Sequence, residues 1–145
     1  MSEVVTSIDI DAPVDEVWRT VMDPERLKDW VTIHRRLVSH SDDEMEQVLC
    51  LRGANFKVKW HLAAEDAPHR AQWEGRGPAR SHAETEYRLS DNGRGGTHFA
   101  YRNEFKAPLG PLGALASHAL VGGQPAREAD ASLRRLKALL ENGHR

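Results

Sequence analysis

The first ten residues alternate like a β-strand with one buried face. Every second position from residue 4 is apolar or β-branched, and these positions share one face of an extended segment: Val4, Thr6, Ile8 and Ile10. The apolar positions that follow have a period near 3.6 and share one helical face: Val14, Val17, Trp18 and Val21. The pattern predicts a strand that runs directly into a helix, with Pro13 in the first helical turn.

A second short helix is predicted immediately after the first. Asp23 precedes Pro24, and an aspartate at a helix start accepts a hydrogen bond from one of the exposed backbone N–H groups. Helical spacing then places Leu27 and Trp30 on the inward face. The segment up to Trp30 is therefore expected to hold one strand and two short helices.

The middle of the chain is typical of antiparallel hairpins. Six strand-like segments are separated by turn residues, at about residues 36–40, 44–52, 56–62, 71–75, 83–89 and 97–105. The clearest of them alternates four apolar residues with three polar ones, which predicts a half-buried strand: Phe56, Val58, Trp60 and Leu62 against Lys57, Lys59 and His61. Glu84, Glu86 and Glu104 fall on the outward face with Arg88 and Arg102, as cross-strand charge pairs do.

From residue 112 onward the signal is helical. Leu133, Leu136 and Leu140 form one apolar stripe near the end of the chain. Gly122, Gly123 and Pro125 interrupt the segment, because glycine is a poor helix former and proline obstructs the preceding turn. We expect two helical segments that meet at this interruption.

Composition and charge exclude several classes of protein. The 145 residues suit one domain over 1–145, and 39% hydrophobic with 29% charged residues is ordinary for a globular protein. No apolar run approaches the roughly 18 residues of a membrane span, and no signal segment is evident, so we expect a cytoplasmic protein without stable membrane insertion. A net charge of −2 without a basic cluster argues against nucleic acid as a partner. The oligomeric state stays open.

Five segments of the chain resemble one superfamily. They are SIDIDAPVDEVWRTVMDPERLKDW at 7–30, WEGRG at 73–77, GGTHFAYRNEF at 95–105, APLGPLGALA at 107–116 and SLRRLKALLE at 132–141. Together they are similar to the START-like, or SRPBCC, superfamily, near its polyketide cyclase/dehydrase and lipid transport branch. The resemblance implies an α+β helix-grip (Bet v 1/START-like) fold, with a curved antiparallel sheet of about seven strands around a long C-terminal helix and two short helices after strand 1. It also implies an internal apolar cavity for lipids, polyketides or quinone-like molecules.

The residues allow two interpretations of such a cavity. The inward faces of the strands carry large side chains, whereas the helical region from 114 to 129 is rich in alanine and glycine. Large against small residues can pack completely, as interiors usually do, or a slender helix can leave space beneath a curved sheet. If space remains, the candidate ligand-binding residues are Trp30, Phe56, Trp60, Trp73, Tyr87, Phe99, Tyr101, Asn103, Leu115 and Ala119.

Signatures of catalysis and metal binding are absent from the sequence. It lacks a nucleophile elbow, a phosphate-binding loop and a dinucleotide fingerprint, so no cofactor is expected. The eight histidines show no ligand spacing, and no metal is expected; His61, His82 and His98 fall on outward faces, and His118 on the terminal helix. If a reaction occurs, Tyr87, Tyr101 and Asn103 are the best candidates, by hydrogen bonding to a polyketone or its enolate.

Three functions remain open at this point. The first is binding or carriage of a small hydrophobic molecule without catalysis. The second is a polyketide cyclase or dehydratase that uses the same cavity. The third is a protein-interaction module without a ligand, as for some START-like proteins. Whether the protein is an enzyme therefore remains undecided by the sequence.

Overall fold

A computed structural model of the protein describes residues 2–51, 53–106 and 124–142. The chain begins with strand β1 (Ser2–Ile10) and helix α1 (Val14–Val21), followed by a 3₁₀ turn (Pro24–Arg26) and helix α2 (Leu27–Trp30). Six strands follow: β2 (His34–His40), β3 (Glu44–Leu51), β4 (Ala54–Asp66), β5 (Arg70–Arg76), β6 (His82–Asp91) and β7 (Thr97–Lys106). A second 3₁₀ turn (Pro78–Arg80) separates β5 from β6, and helix α3 spans Gln124–Asn142.

The two short helices begin much as the sequence predicts. The Asp23 carboxylate accepts a hydrogen bond from the Glu25 N–H at 3.0 Å, which confirms it as the cap of the second helical segment. Pro13 lies one position earlier than predicted, because it is the N-cap of α1, and its carbonyl accepts hydrogen bonds from Glu16 and Val17. Leu27 and Trp30 are buried, as their spacing indicates.

The seven described strands form one antiparallel sheet in the order β1-β7-β6-β5-β4-β3-β2. All neighbours except β1 and β7 are consecutive in the chain, and the register pairs inward residues with inward residues, as in Leu89 with Phe99 and Tyr87 with Tyr101. Helix α3 packs along β1 and against α2. The α+β helix-grip fold that the resemblance implies is therefore confirmed.

Large apolar side chains close one end of this sheet. Phe99 and Ile10 are fully buried there, together with Leu89 and Val17 from β6 and α1. The leucine stripe of α3 belongs to the same core cluster, since Leu133, Leu136 and Leu140 are all buried in it. The alternation of the strands and the period of the helix thus converge on one core.

Polar contacts fix the C-terminal half of α3 beside the start of the chain. The Glu141 carboxylate accepts a hydrogen bond from the Asp11 N–H at 2.9 Å, and the Lys137 ammonium donates to the Asp9 carbonyl at 2.9 Å. Nearer the beginning of the helix, the Thr6 hydroxyl donates to the Asp130 carboxylate. These contacts hold the helix along β1 rather than along the middle of the sheet.

The outer face of the sheet carries charge pairs both across and within strands, and Glu86 and Glu104 contact Arg88 and Arg102 within their own strands rather than across them as predicted. Arg70 and Arg88 both contact the Glu86 carboxylate at 2.9 Å, and Arg102 lies 2.9 Å from Glu3 and 3.6 Å from Glu104. Pairs of this kind on a half-exposed surface contribute little individually to the free energy of unfolding.

No helix in the part of the chain described above is both long enough and apolar enough to cross a membrane.

Helix α3 includes Pro125 next to its first residue, Gln124. The break predicted at Gly122 and Gly123 lies outside the described residues. The first of the two predicted helical segments lies outside the described residues. The candidate residues Leu115 and Ala119, and also His118, lie there too.

Replacing Leu136 by alanine should destabilise the fold strongly. Its side chain is fully buried beneath α3, and removing a buried leucine side chain typically lowers the free energy of unfolding by about 2–5 kcal/mol. Urea unfolding followed by circular dichroism measures the change. Arg135→Ala, on the exposed face of the same helix, is the matched control and should change the value by less than about 0.5 kcal/mol. Equal effects of the two substitutions would contradict this placement of the helix.

Candidate functional site

A cavity of about 470 Å³ lies at the other end of the sheet, between the strands and the beginning of α3. Strands β3 to β7 form its floor, α2 forms one side, and α3 contributes Glu128, Ala129, Ser132 and Leu133. Most of the described lining is apolar or aromatic: Leu27, Trp30, Val31, Ile33, Met45, Leu49, Phe56, Val58, Trp60, Trp73, Ala83 and Phe105. Space therefore remains between the strands and the described part of the helix. Most of the alanine- and glycine-rich stretch that the two interpretations concern lies outside the described residues.

The cavity and the closed core share the inward face of the β6–β7 hairpin. Leu89 and Phe99 face each other in the closed core, whereas the next inward pair, Tyr87 and Tyr101, lines the cavity. Farther along, Thr85 pairs with Asn103, and the Thr85 hydroxyl donates a hydrogen bond to the Asn103 side-chain oxygen at 2.9 Å. The two tyrosines thus mark the boundary between solid core and open space.

An aromatic cluster supports this boundary. The rings of Trp30 and Tyr87 have centroids 6.1 Å apart, and both rings pack against Phe99, at 6.3 and 5.5 Å. Tyr101 adds a fourth ring at 6.1 Å from Tyr87. Contacts of this geometry stabilise aromatic pairs beyond the burial of their area, so the walls are already ordered.

Burial raises the pKa of both phenols. Desolvation raises the pKa of Tyr87 far above its ordinary value, and the neighbouring Tyr101 adds to the rise. Desolvation raises the pKa of Tyr101 to about 12, although a hydrogen bond with the Thr85 side chain partly offsets the rise. At neutral pH these hydroxyls can donate hydrogen bonds, but they do not serve as anionic bases.

The indole nitrogens of two tryptophans in the cavity wall are buried away from the open space. The indole nitrogens of Trp30 and Trp60 are buried, and neither has a hydrogen-bond partner among the described residues. Both side chains belong to the cavity wall. An indole N–H is only a donor, and buried donors normally find an acceptor.

Gly75 explains the position of the Trp60 ring. Trp60 on β4 pairs with Gly75 on β5, and a Cβ atom at Gly75 would lie 2.7 Å from two carbon atoms of the ring. Such a distance is far below ordinary van der Waals contact, so the ring can occupy this place only over a residue without a side chain. The glycine thus sets how far the indole withdraws from the cavity.

Gln47 is a buried polar group in the floor of the cavity. Its amide nitrogen lies 2.8 Å from Nδ1 of His34, and since an amide nitrogen donates, the neutral imidazole accepts at Nδ1. Burial lowers the pKa of His34 below its ordinary value, which favours this neutral form. Protonation at Nδ1 would remove the acceptor.

A second polar group lies where α2 ends and α3 begins. The Thr32 hydroxyl donates to the Glu128 carboxylate, and the Thr32 N–H donates to the Ser132 hydroxyl at 3.0 Å. Glu128 and Ser132 line the cavity, so this cluster ties the helix to its rim. Lysine and arginine are absent from the described lining, and Glu128 is its one carboxylate.

The structure brings together most of the candidate residues from the sequence. Seven line the cavity: Trp30, Phe56, Trp60, Trp73, Tyr87, Tyr101 and Asn103. Phe99 does not, because it lies one inward position closer to the closed core, where it supports Trp30 and Tyr87 from behind. His82, expected on the outer face, borders the cavity at the start of β6.

Sequence reasoning missed Gln47, His34 and the cluster of Thr32, Glu128 and Ser132. Gln47 had a usable signal, since a glutamine between Met45 and Leu49 interrupts an inward apolar series. The remaining contacts join residues that are distant in the chain, so no local sequence pattern indicates them. Within the residues that the structure describes, no three His, Cys, Asp or Glu side chains converge as metal ligands would.

Comparisons place these observations among known proteins. Residues 1–141 match the family described as polyketide cyclase/dehydrase and lipid transport. A conserved protein from Geobacillus kaustophilus shares 17% identity with a TM-score of 0.80, over 98% of this chain and 97% of its own. The protein TTHA0849 from Thermus thermophilus shares 18% identity with a TM-score of 0.77, over 99% and 100% of the two chains.

A third solved structure is similar over only part of its length. DynU16, a protein in the dynemicin biosynthetic locus, shares 18% identity with a TM-score of 0.68, over 99% of this chain and 48% of that one. No curated protein matches. At these identities the structural likeness establishes the fold.

The hydrogen bond between Gln47 and His34 predicts a pH dependence of stability. The imidazole of an unfolded chain has a pKa near 6.5, whereas burial lowers the pKa of folded His34. Below about pH 6.5 the unfolded state binds the proton first, so the free energy of unfolding should fall until the pH reaches the folded pKa. Urea midpoints between about pH 7.5 and 5.5 should show this decrease, and His34→Asn should reduce it.

His40→Asn, at an exposed ring on the same strand, is the control for replacing a histidine. An identical pH dependence in wild-type protein and the His34 variant would show that His34 is not the group responsible.

Proposed function

This chain belongs to the polyketide cyclase/dehydrase and lipid transport family, and we propose that it binds and carries a small hydrophobic molecule in the cavity beneath α3. The observation that carries the proposal is the cavity itself, about 470 Å³ of space with a largely apolar wall. Small-molecule sites usually measure about 300–1,000 Å³ and combine such walls with a few polar groups. Water binds weakly in a largely apolar space, whereas an apolar ring or chain binds well there.

The ordered wall favours specific binding over loose adsorption. Trp30, Tyr87 and Phe99 hold one another in place by ring contacts, and Gly75 positions the ring of Trp60. A wall that is already arranged loses little conformational entropy when a ligand enters. Binding energy can then come from the apolar surface that the ligand removes from water.

The polar groups favour a carrier over a catalyst. Glu128, the one carboxylate of the described lining, accepts a hydrogen bond from Thr32 at the rim. Both tyrosines keep their protons at neutral pH, and Gln47 is engaged with His34. Proton transfer at carbon requires a free acid and a free base, and these residues do not provide such a pair.

A second candidate function is cyclisation of a polyketide. The observation in its favour is that protonated Tyr87 and Tyr101 line the cavity beside Asn103, where their hydroxyls could donate to an enolate oxygen as negative charge develops. The description of the family, polyketide cyclase/dehydrase and lipid transport, agrees with chemistry on polyketides. In this case the cavity would fold a reactive chain rather than only hold it.

Filling the cavity from α3 should weaken binding. Ala129 lines the space, so Ala129→Phe would place a benzyl group inside it and lower the affinity for an apolar probe by at least about tenfold. The neutral fluorophore N-phenyl-1-naphthylamine, titrated against the protein, reports the affinity by its emission. Ala138→Phe makes the same change on the exposed face of the same helix and should bind like wild type.

Two results would overturn the proposed function. One is a wild-type protein that does not bind the probe at any accessible concentration. The other is an Ala129 variant whose affinity equals that of the Ala138 control, which would place the bound probe somewhere other than this cavity.

Replacing Tyr101 by phenylalanine separates carrier from cyclase. A carrier should keep its affinity for the probe within about tenfold, since one hydroxyl contributes roughly 0.5–1.5 kcal/mol and the apolar wall is unchanged. The same protein is then incubated with a linear poly-β-ketone, and mass spectrometry detects a product lighter by one water. Formation of that product by wild type but not by Tyr101→Phe would favour the cyclase and contradict the carrier.

A further inference from the structure

A chain of hydrogen bonds orients the Glu128 carboxylate at the cavity. The Thr32 N–H donates to the Ser132 hydroxyl at 3.0 Å, and the hydroxyl oxygens of Thr32 and Ser132 lie 3.2 Å apart. Because the Thr32 hydroxyl donates its proton to Oε2 of Glu128, the Ser132 hydroxyl is the donor between the two hydroxyls. One carboxylate oxygen is thus fixed by the segment that follows α2, on a residue of the cavity lining.

The other carboxylate oxygen has no partner in the part of the chain that the structure describes. Glu128 takes part in none of the ion pairs there, and Oε1 accepts no hydrogen bond from a described residue. On the outer face of the sheet, by contrast, Glu3 and Glu86 each contact an arginine. A half-buried carboxylate is therefore held in place without a cation to balance it.

The protein supplies no permanent cation to the described wall of this cavity. Its lining contains neither lysine nor arginine. Residues 107–123, which connect β7 to α3, contain neither of them as well. A carboxylate beside an apolar space is most favourable when a positive charge lies next to it, and here the occupant can supply that charge.

The rest of the lining is compatible with a cation that carries an apolar body. Aromatic rings form much of the wall, and the negative face of such a ring attracts positive charge. The phenols of Tyr87 and Tyr101 are uncharged at neutral pH, because burial raises the pKa of each. Glu128 is only partly buried, so a charged group beside it keeps part of its hydration.

We propose that the cavity selects a hydrophobic amine, whose apolar part contacts the aromatic wall and whose protonated amino group pairs with Glu128. The proposal rests on the proposed function, since it names the chemical class that the same cavity carries. An anionic molecule of the same shape would lose hydration next to Glu128 without gaining a cation. A neutral molecule fits the space but leaves the carboxylate unbalanced.

Three naphthalene probes of similar shape test this proposal near neutral pH. 2-Naphthylmethylamine carries a positive charge, 2-naphthylmethanol is neutral, and 2-naphthoate carries a negative charge. Each is titrated into wild-type protein that holds N-phenyl-1-naphthylamine, and the loss of emission reports displacement of the fluorophore. The measurements are made at low ionic strength, where charge pairs near a surface are screened least.

We expect the amine to bind about 3- to 10-fold more tightly than the alcohol, because one partly exposed charge pair distinguishes them. The carboxylate should bind at least about tenfold more weakly than the amine. Salt at about 0.5 M should reduce the advantage of the amine over the alcohol. If the alcohol or the carboxylate binds as tightly as the amine, the proposal fails while the proposed function stands. If the fluorophore itself does not bind, the proposed function fails as well.

Glu128→Gln tests whether this carboxylate is the group that selects charge. Glutamine keeps an oxygen that accepts from Thr32 and removes the negative charge, so the ratio of amine to alcohol affinity should fall to about one. Asp130→Asn makes the same change of charge on the exposed face of the same helix, outside the described lining, and should keep the wild-type ratio.

An unchanged preference for the amine in Glu128→Gln would overturn the proposal, because Glu128 would then serve only to fasten the segment after α2 to α3. Circular dichroism shows whether each variant is folded. The comparison of probes uses wild-type protein, so a variant that fails to fold does not affect that arm of the test.

Discussion

The width of a helix relative to the width of the sheet determines this structure. Seven strands about 4.8 Å apart span roughly 29 Å, whereas a helix with its side chains is only about 10–12 Å wide. Helix α3 therefore covers part of the inward face, and its position along β1 decides which part. Leu136 and Leu140 close one end of the sheet, and polar contacts of Lys137 and Glu141 with the start of the chain hold the helix there. The cavity is the region of the face that Leu136 and Leu140 do not reach, and Leu133 lies at its edge.

Local periodicity was sufficient to predict most of the fold. Alternation identified the inward residues of β1 and β4 to β7, and the observed register pairs these residues across the strands. The aspartate cap at residue 23 and the leucine stripe of α3 were likewise visible in the sequence. These features depend on interactions between residues that are close together in the chain, so they can be predicted from a single sequence.

The depth of a residue along the sheet was not predictable in the same way. Phe99 and Tyr101 both point inward on β7, but Phe99 lies in the closed core and Tyr101 lines the cavity. Alternation reports the face of a strand, and it contains no information on where a helix from the far end of the chain crosses that face. The contacts between Thr32 and Glu128, or between His34 and Gln47, depend on the same long-range placement. Seven of the eight candidate ligand residues that the structure describes line the cavity, because size and inward direction selected them together.

The absence of a side chain at Gly75 determines where the ring of Trp60 can lie. The ring of Trp60 rests on bare backbone there, and a single methyl group would displace it from that position. A side chain at this position would require the indole or the paired strands to shift, so a single residue of the scaffold constrains the shape of the aromatic wall.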